Sequence, residues 1–249
     1  MSELTGLYAI WYREIKVFFR EKSRIISSVV SPLMWLVIFG TGLGSAVAIQ
    51  GANYQTFIFP GILVMTVLFS SLFFGLYIIF DKRVDFLKEV MVAPLNRTTI
   101  FLGKVLGGST DGMIQVVIIL VLGPIFGIHY TVLSVIASIV LLLLLTIGIT
   151  SIGLAIGSFM ESPEGFGLIS SFVIFPLFFL SGALFPIDKL PVWLLFFVRL
   201  NPITYGVDAL RGLMLGLGTI NPVIDFAIVL AFSIVMLLVG SWAFKRLKL

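Results

Sequence analysis

Few side chains in this sequence are placed to do chemistry, and their spacing narrows what that chemistry is. Asp111 lies seven residues beyond Lys104 in an apolar run, about 10 Å along a helix, and Gln115 falls one turn further on the same face. A carboxylate at that depth is costly unless paired or hydrated. It therefore marks either a pathway for a substrate or a hydrogen bond that packs helices together. Asp208 and Arg211 are three residues apart, the spacing of an ion pair on one helical face. That pair is read as a structural salt bridge, with contact to a substrate as the alternative. Catalysis needs more than this. One aspartate within a span and a single histidine, His129, supply neither a triad nor a zinc cluster, and the chain has no cysteine. No catalytic residue, cofactor site or metal site is predicted.

The remaining charge is concentrated in two segments that read as surfaces for a partner. Residues 81–104 run DKRVDFLKEVMVAPLNRTTIFLGK. Val84, Leu87, Val90 and Met91 are spaced as one apolar face of a short helix, with Asp85, Lys88 and Glu89 on its other faces. Pro94 ends that helix, and Asn96 or Thr98 caps the next. A short amphipathic helix held between two spans is a lever for a partner to grip; a solvated connecting loop is the plainer alternative. At the N-terminus Leu4, Leu7, Tyr8, Trp11, Ile15 and Phe18 form a stripe, while Arg13, Glu14, Lys16, Arg20 and Glu21 fall elsewhere on the wheel. This pattern predicts a helix over residues 1–24 lying in the membrane interface, as an anchor alone or also as a partner contact.

The elements that position these residues follow from composition. Hydrophobic residues make up 59% of the 249 positions and charged residues 11%, against about 25% charged in soluble domains. Apolar runs predict an all-α polytopic membrane protein with six spans: 25–48, 57–80, 101–126, 132–159, 166–184 and 223–244. Ser162 followed by Pro163 caps the fifth. The stretch 185–221 is broken by Pro186, Pro191 and Pro202 into pieces too short to cross, which predicts two re-entrant helices at the outer side. Gly40/Gly44, Gly153/Gly157 and Gly212/Gly216 have the spacing that lets helices approach closely. Ala46-Val47-Ala48 resembles a signal-peptidase site, but the basic region before it and the apolar run are both too long for a signal peptide. Six spans place residues 1–24, 81–104 and the tail on one side, with thirteen of the sixteen lysines and arginines. By the positive-inside rule that side is cytoplasmic, both termini included. Lys189, Arg199 and Arg211 remain outside.

The motifs within this layout carry a family resemblance. Leu87-Lys88-Glu89, Pro94, Arg97 and Gly103-Lys104 resemble the cytoplasmic signature of ABC-2 type transporter permeases, of the daunorubicin-resistance and nodulation-protein kind. Leu180-Ser181-Gly182-Ala183-Leu184-Phe185-Pro186, continuing through Leu190-Pro191 to Asn201-Pro202-Ile203-Thr204-Tyr205 and Arg211, resembles the same family's outer segment. The resemblance covers the whole chain. It implies an interface helix, a coupling helix in the first cytoplasmic loop, outer re-entrant helices between spans five and six, and a homodimer. It also implies a separate ABC ATP-binding subunit that holds ATP and magnesium and contacts Arg13, Lys16, Arg20, Asp85, Lys88, Glu89, Pro94 and Arg97. No G-x-x-x-x-G-K-[ST] loop occurs, because Gly103-Lys104 is followed by Val105 and lacks the leading glycine. ATP hydrolysis is therefore expected on the partner.

The function expected is the permease half of an ATP-driven exporter in the plasma membrane of a prokaryote. It would be surrounded by lipid and move a hydrophobic or amphiphilic substrate outward, with no role for nucleic acid. Two other readings stand beside it. A secondary transporter or channel would show inverted repeats or several intramembrane charges. A lipid-active membrane enzyme would show acids, histidines or a nucleophile clustered at membrane depth.

Overall fold

The computed structural model describes residues 2–42, 44, 53–187 and 190–247, and every regular element among them is helical. In chain order these are α1 (Glu3–Arg20), α2 (Lys22–Gly42), α3 (Tyr54–Phe73), α4 (Leu76–Arg83), α5 (Phe86–Val92) and α6 (Arg97–Leu122). A 3-10 turn, Gly123–Phe126, follows α6. Then come α7 (Val132–Phe159), α8 (Pro163–Phe179), α9 (Val192–Leu200), α10 (Pro202–Leu215) and α11 (Pro222–Lys245). Five stretches are long and apolar enough to cross a membrane: Lys22–Gly42, Tyr54–Arg83, Arg97–Phe126, Val132–Phe159 and Pro222–Lys245. The chain is a polytopic all-α membrane protein. The Ala46–Ala48 motif and Lys189 lie outside the described residues.

Helix α3 lies at the centre. In α3, Phe57 to Leu68 are all buried, as expected of a helix with no polar face. Around it α2, α6, α7, α8 and α10 complete the main core. By contrast α2 and α11 bury only 17% and 22% of their apolar windows, so most of their surface is left for lipid or another chain.

Several boundaries differ from the sequence-based expectation. The second span is not continuous: α3 and α4 are separated at Phe74-Gly75, where Gly75 N–H bonds to the Leu72 carbonyl at 3.1 Å in a tight 3-10 turn. The break lets the two helices press onto α7 through bare backbone. A methyl group at Gly75 would lie 1.9 Å from the Gly153 carbonyl oxygen, one at Gly153 2.2 Å from the Leu72 oxygen, and one at Gly157 2.3 Å from the Gly75 oxygen. The Gly153/Gly157 spacing thus serves close approach of helices. The helix expected from residue 166 to 184 is instead α8, 17 residues long and capped by Ser162 Oγ on Gly165 N–H. It stops at a turn whose Gly182 has φ +71°, a left-handed conformation that favours glycine. The helix of residues 1–24 ends at Arg20, and α2 starts at Lys22.

Three connections gather one end of the bundle. Lys82 Nζ donates to the carbonyls of Gly157, Ser158 and Met160 at 3.4, 2.9 and 3.3 Å. Arg97 donates to Lys245 and Leu247 carbonyls at 2.7 and 3.2 Å. Asp81 meets Arg13 at 2.7 Å. At the other end Tyr54 donates to the Leu184 carbonyl at 3.0 Å, Asn201 to the Leu177 carbonyl at 2.7 Å and Arg211 to the Gly182 carbonyl at 2.9 Å. These bonds seat α9 and α10 over the ends of α3 and α8.

Candidate functional site

The basic end is built around four buried or half-buried charges. Lys104 is 1% exposed, and Glu14 and Asp81 are each 3% exposed. Lys104 Nζ reaches Glu14 Oε1 at 3.1 Å and Asp81 Oδ2 at 2.5 Å. Arg13 closes the ring, reaching Glu14 at 2.8 Å and Asp81 at 2.7 Å. Two cations and two anions cancel, so the group is neutral while each member depends on the others. Burial works against the Arg13 charge, but the hydrogen bond to Asp81 and the fields of Glu14 and Asp81 outweigh it and raise its pKa. Such a group contributes little net stability against an apolar replacement and much positional specificity.

The cluster fixes α1 to α4 and α6. Helix α1 runs alongside the first turns of α6 with glycines at the contact. A methyl group at Gly103 would lie 2.9 Å from Ile10, and one at Gly107 2.5 Å from the Glu14 side chain. Trp11 donates to Thr110 at 3.0 Å, and Asn96 donates to Glu3 at 2.8 Å. The expected stripe therefore divides: Phe18 is buried in the bundle, whereas Leu4 and Tyr8 are exposed. Glu14, placed by the wheel away from the apolar side, belongs to the packed face. Long-range pairing with Lys104 overrides local amphipathicity here.

Beside the cluster stands α5. The Arg13 guanidinium lies 3.8 Å over the ring of Phe86, its first residue. Leu87 is fully buried, packed in a second core with Ile10, Phe74, Ile78, Phe101, Leu154 and Phe244. Asp85, Lys88 and Glu89 are exposed, and Lys88 pairs with Asp85 at 2.7 Å. The apolar face is narrower than expected. Val84 is 70% exposed, because it ends α4 and Asp85, at φ 56°, separates it from α5.

The other expected partner contacts divide by exposure. Lys16, Arg20, Pro94 and Arg97 are exposed, but Arg97 caps the last carbonyls of α11 and Arg13 points into the ring. These two arginines also hold this chain's own helices together.

One layer deeper, Asp111 has the partner its depth demands. Arg24, at the start of α2, forms an ion pair with it and bonds the hydroxyl of Tyr77, which in turn donates to Glu21. Gln115 donates to Asp111 at 2.6 Å. This second set joins α2, α4 and α6. Sequence reasoning missed Arg24, Tyr77, Lys104 and Asp81 as cluster members. For Arg24, Asp81 and Lys104 the only local signal was a charge at the edge of an apolar run, and Tyr77 gave none. Above the layer, a cavity of about 530 Å³ opens between α2, α3 and α8. Trp35, Phe69, Phe73, Phe175 and Phe178 line it, with Arg24 and Gln115 at its polar floor. Asp208 and Arg211, read as a pair, are not joined by an ion pair among the described residues. Asp208 accepts instead from Thr219 and Ile220 backbone N–H groups at 2.9 and 2.8 Å, because the α10–α11 turn folds back over it.

Apolar helices long enough to cross a bilayer, converging on an anchored amphipathic helix, define a polytopic membrane protein of the permease class. The sequence matches the ABC-2 type transporter family over residues 5–215, and the chain belongs to that family. It is 36% identical over 206 residues to the putative transport permease ycf38 of Cyanophora paradoxa, covering 79% of this chain and 70% of that one. It is 27% identical over 242 residues to the inner membrane transport permease YadH of Escherichia coli K12, covering 94% and 92%. Nodulation protein J of Rhizobium leguminosarum bv. viciae is 22% identical over 242 residues, covering 96% and 93%. The protein is a transport permease.

Proposed function

We propose that the chain is the membrane half of an ATP-driven exporter, working as a homodimer with a separate ATP-binding subunit in a prokaryotic plasma membrane. Both termini and α5 face the cytoplasm in this reading, α1 rests at the interface, and α8 is the fifth of six spans. One observation carries it. Helix α5 presents Asp85, Lys88 and Glu89 outward while Phe86 and Leu87 fix it to the cluster and to the core. A push on α5 would therefore be delivered at once to α1, α4 and α6. ATP-driven closure of the partner supplies the push, with Lys16 and Arg20 as a second contact. Movement of α4 and α6 reshapes the aromatic cavity beside α2 and α8, and a hydrophobic or amphiphilic molecule passes outward. The cavity's apolar lining and few polar groups have the character of a small-molecule site.

Charge reversal on α5 tests this. The double variant Lys88→Glu/Glu89→Lys changes exposed groups only and should leave the melting temperature unchanged. Co-purification with the ATP-binding subunit and stimulation of its hydrolysis should fall by about tenfold or more, the scale of 1.4 kcal/mol or above at an interface. Intact assembly and stimulation would overturn the assignment of α5.

A further inference from the structure

At the end of the bundle opposite the charge cluster, Asp225 occupies the first turn of α11 with 1% of its surface exposed. Among the described residues, neither of its carboxylate oxygens has a hydrogen-bond partner. Its neighbour in charge, Asp208 of α10, is provided for quite differently. Asp208 accepts from Thr219 N–H at 2.9 Å, Thr219 Oγ1 at 2.8 Å and Ile220 N–H at 2.8 Å. The Asp208 charge acts on Asp225 as a like charge.

Among the described residues, the other packed elements supply no counter-charge. Helix α7 has no titratable side chain. From α10 come Tyr205, which donates to the Arg199 carbonyl at 2.8 Å, and Arg211, which donates to the Gly182 carbonyl and lies 3.9 Å over Phe57. The charged groups of α6, Arg97, Lys104 and Asp111, are engaged at the basic end. Before α7, His129 is exposed and Tyr130 bonds the Leu120 carbonyl. Helix α11 lies on α7 in parallel: Ser233 donates to the Leu144 carbonyl at 2.6 Å, and Gly240 packs on the Ser151 carbonyl. The same offset of 89 residues brings Asp225 to the level of residue 136. Two residues on, the Ser138 hydroxyl is fully buried and also without a partner.

A buried anion with no donor, facing a second anion, is strongly disfavoured. A metal ion would relieve it only with several oxygen ligands, and no group of three or more ligating acid, histidine or cysteine side chains occurs among the described residues. A proton needs no such shell. We propose that Asp225 is a proton-binding site: the bound proton holds the first turn of α11 against α10 and α7, and its release to water loosens that end of the bundle. The inference rests on the helix packing and is independent of the exporter reading.

The full chain in lipid nanodiscs provides the test. The infrared band of a protonated carboxyl group should be present near neutral pH, diminish by one group in Asp225→Asn, and shift in Asp225→Glu, which covers the case that the asparagine variant does not fold. The native sequence has no cysteine, so Ser138→Cys is a single reporter. Its labelling by a small aqueous maleimide should accelerate several-fold more with rising pH in the Asp225 background than in the Asp225→Asn background. The ratio removes the pH dependence of the thiol itself. An unchanged band in both variants, or a flat ratio, would overturn the proposal. So would a ratio that follows sodium concentration at fixed pH, which would make the ligand a cation.

Discussion

Replacing Lys104 with methionine is expected to destabilise the protein by about 3–5 kcal/mol, the cost of leaving buried charge without its partner. Lys104 Nζ serves Glu14 and Asp81 together. Its removal leaves Arg13 alone to neutralise two buried carboxylates, and the cluster acquires a net negative charge inside the protein. Methionine retains most of the volume, so packing loss is small and electrostatics decides the outcome. Thermal unfolding in nanodiscs should show a large drop for Lys104→Met and almost none for Lys88→Met, whose partner is exposed. The double variant Glu14→Leu/Lys104→Met leaves the balanced Arg13–Asp81 pair. It should recover much of the loss, as expected when a mutual charge pair is removed whole. Simple additivity of the two single losses would show that the ring does not act as a unit.

The second large effect is expected from a single methyl group. Gly153→Ala gains about 1 kcal/mol from helix propensity, and in an open helix it would stabilise. Here the added carbon would sit 2.2 Å from the Leu72 carbonyl oxygen, a backbone atom with no rotamer to change. Helices α3 and α7 must separate, and overpacking of this kind costs about 1–3 kcal/mol or more. The clash extends to Gly75 and Gly157 through the same contact, so the upper part of that range should win over the propensity gain. Gly167→Ala is the control, since an added carbon there meets nothing within 4 Å. Melting temperatures should move in opposite directions, down for Gly153→Ala and level or up for Gly167→Ala. Equal behaviour would contradict the close approach of α3, α4 and α7.

What could be read from the sequence is what depends on neighbours along the chain. The apolar runs, the Ser162 cap and the short helix after Asp85 each follow from spacing within a dozen residues. Other features depend on distant partners. The break at Phe74-Gly75 is explained only by Gly153, on another helix. Glu14 looked like a solvent-facing charge because the wheel contains no knowledge of Lys104, 90 residues away. Nothing near Arg97 in the chain announced its bond to the end of α11, 148 residues on. Asp208 was paired with Arg211 by spacing, yet the chain turned back and offered two backbone donors at Thr219 and Ile220. In each case a contact from further along the chain decided what the side chain does. The motif residues of α5 were legible; the ring that holds them was not.

That α5 is the handle for an ATP-binding subunit can be tested by proximity. Because the chain has no cysteine, Glu89→Cys places one thiol on the exposed side of α5, and Trp193→Cys places another on α9 at the far end. In native membranes containing both subunits, a short thiol-reactive cross-linker should join Glu89→Cys to the ATP-binding subunit, with a yield that changes on adding ATP. Trp193→Cys should give no such product. Cross-linking at Trp193 without any at Glu89 would put the partner at the wrong end of the molecule and contradict the account.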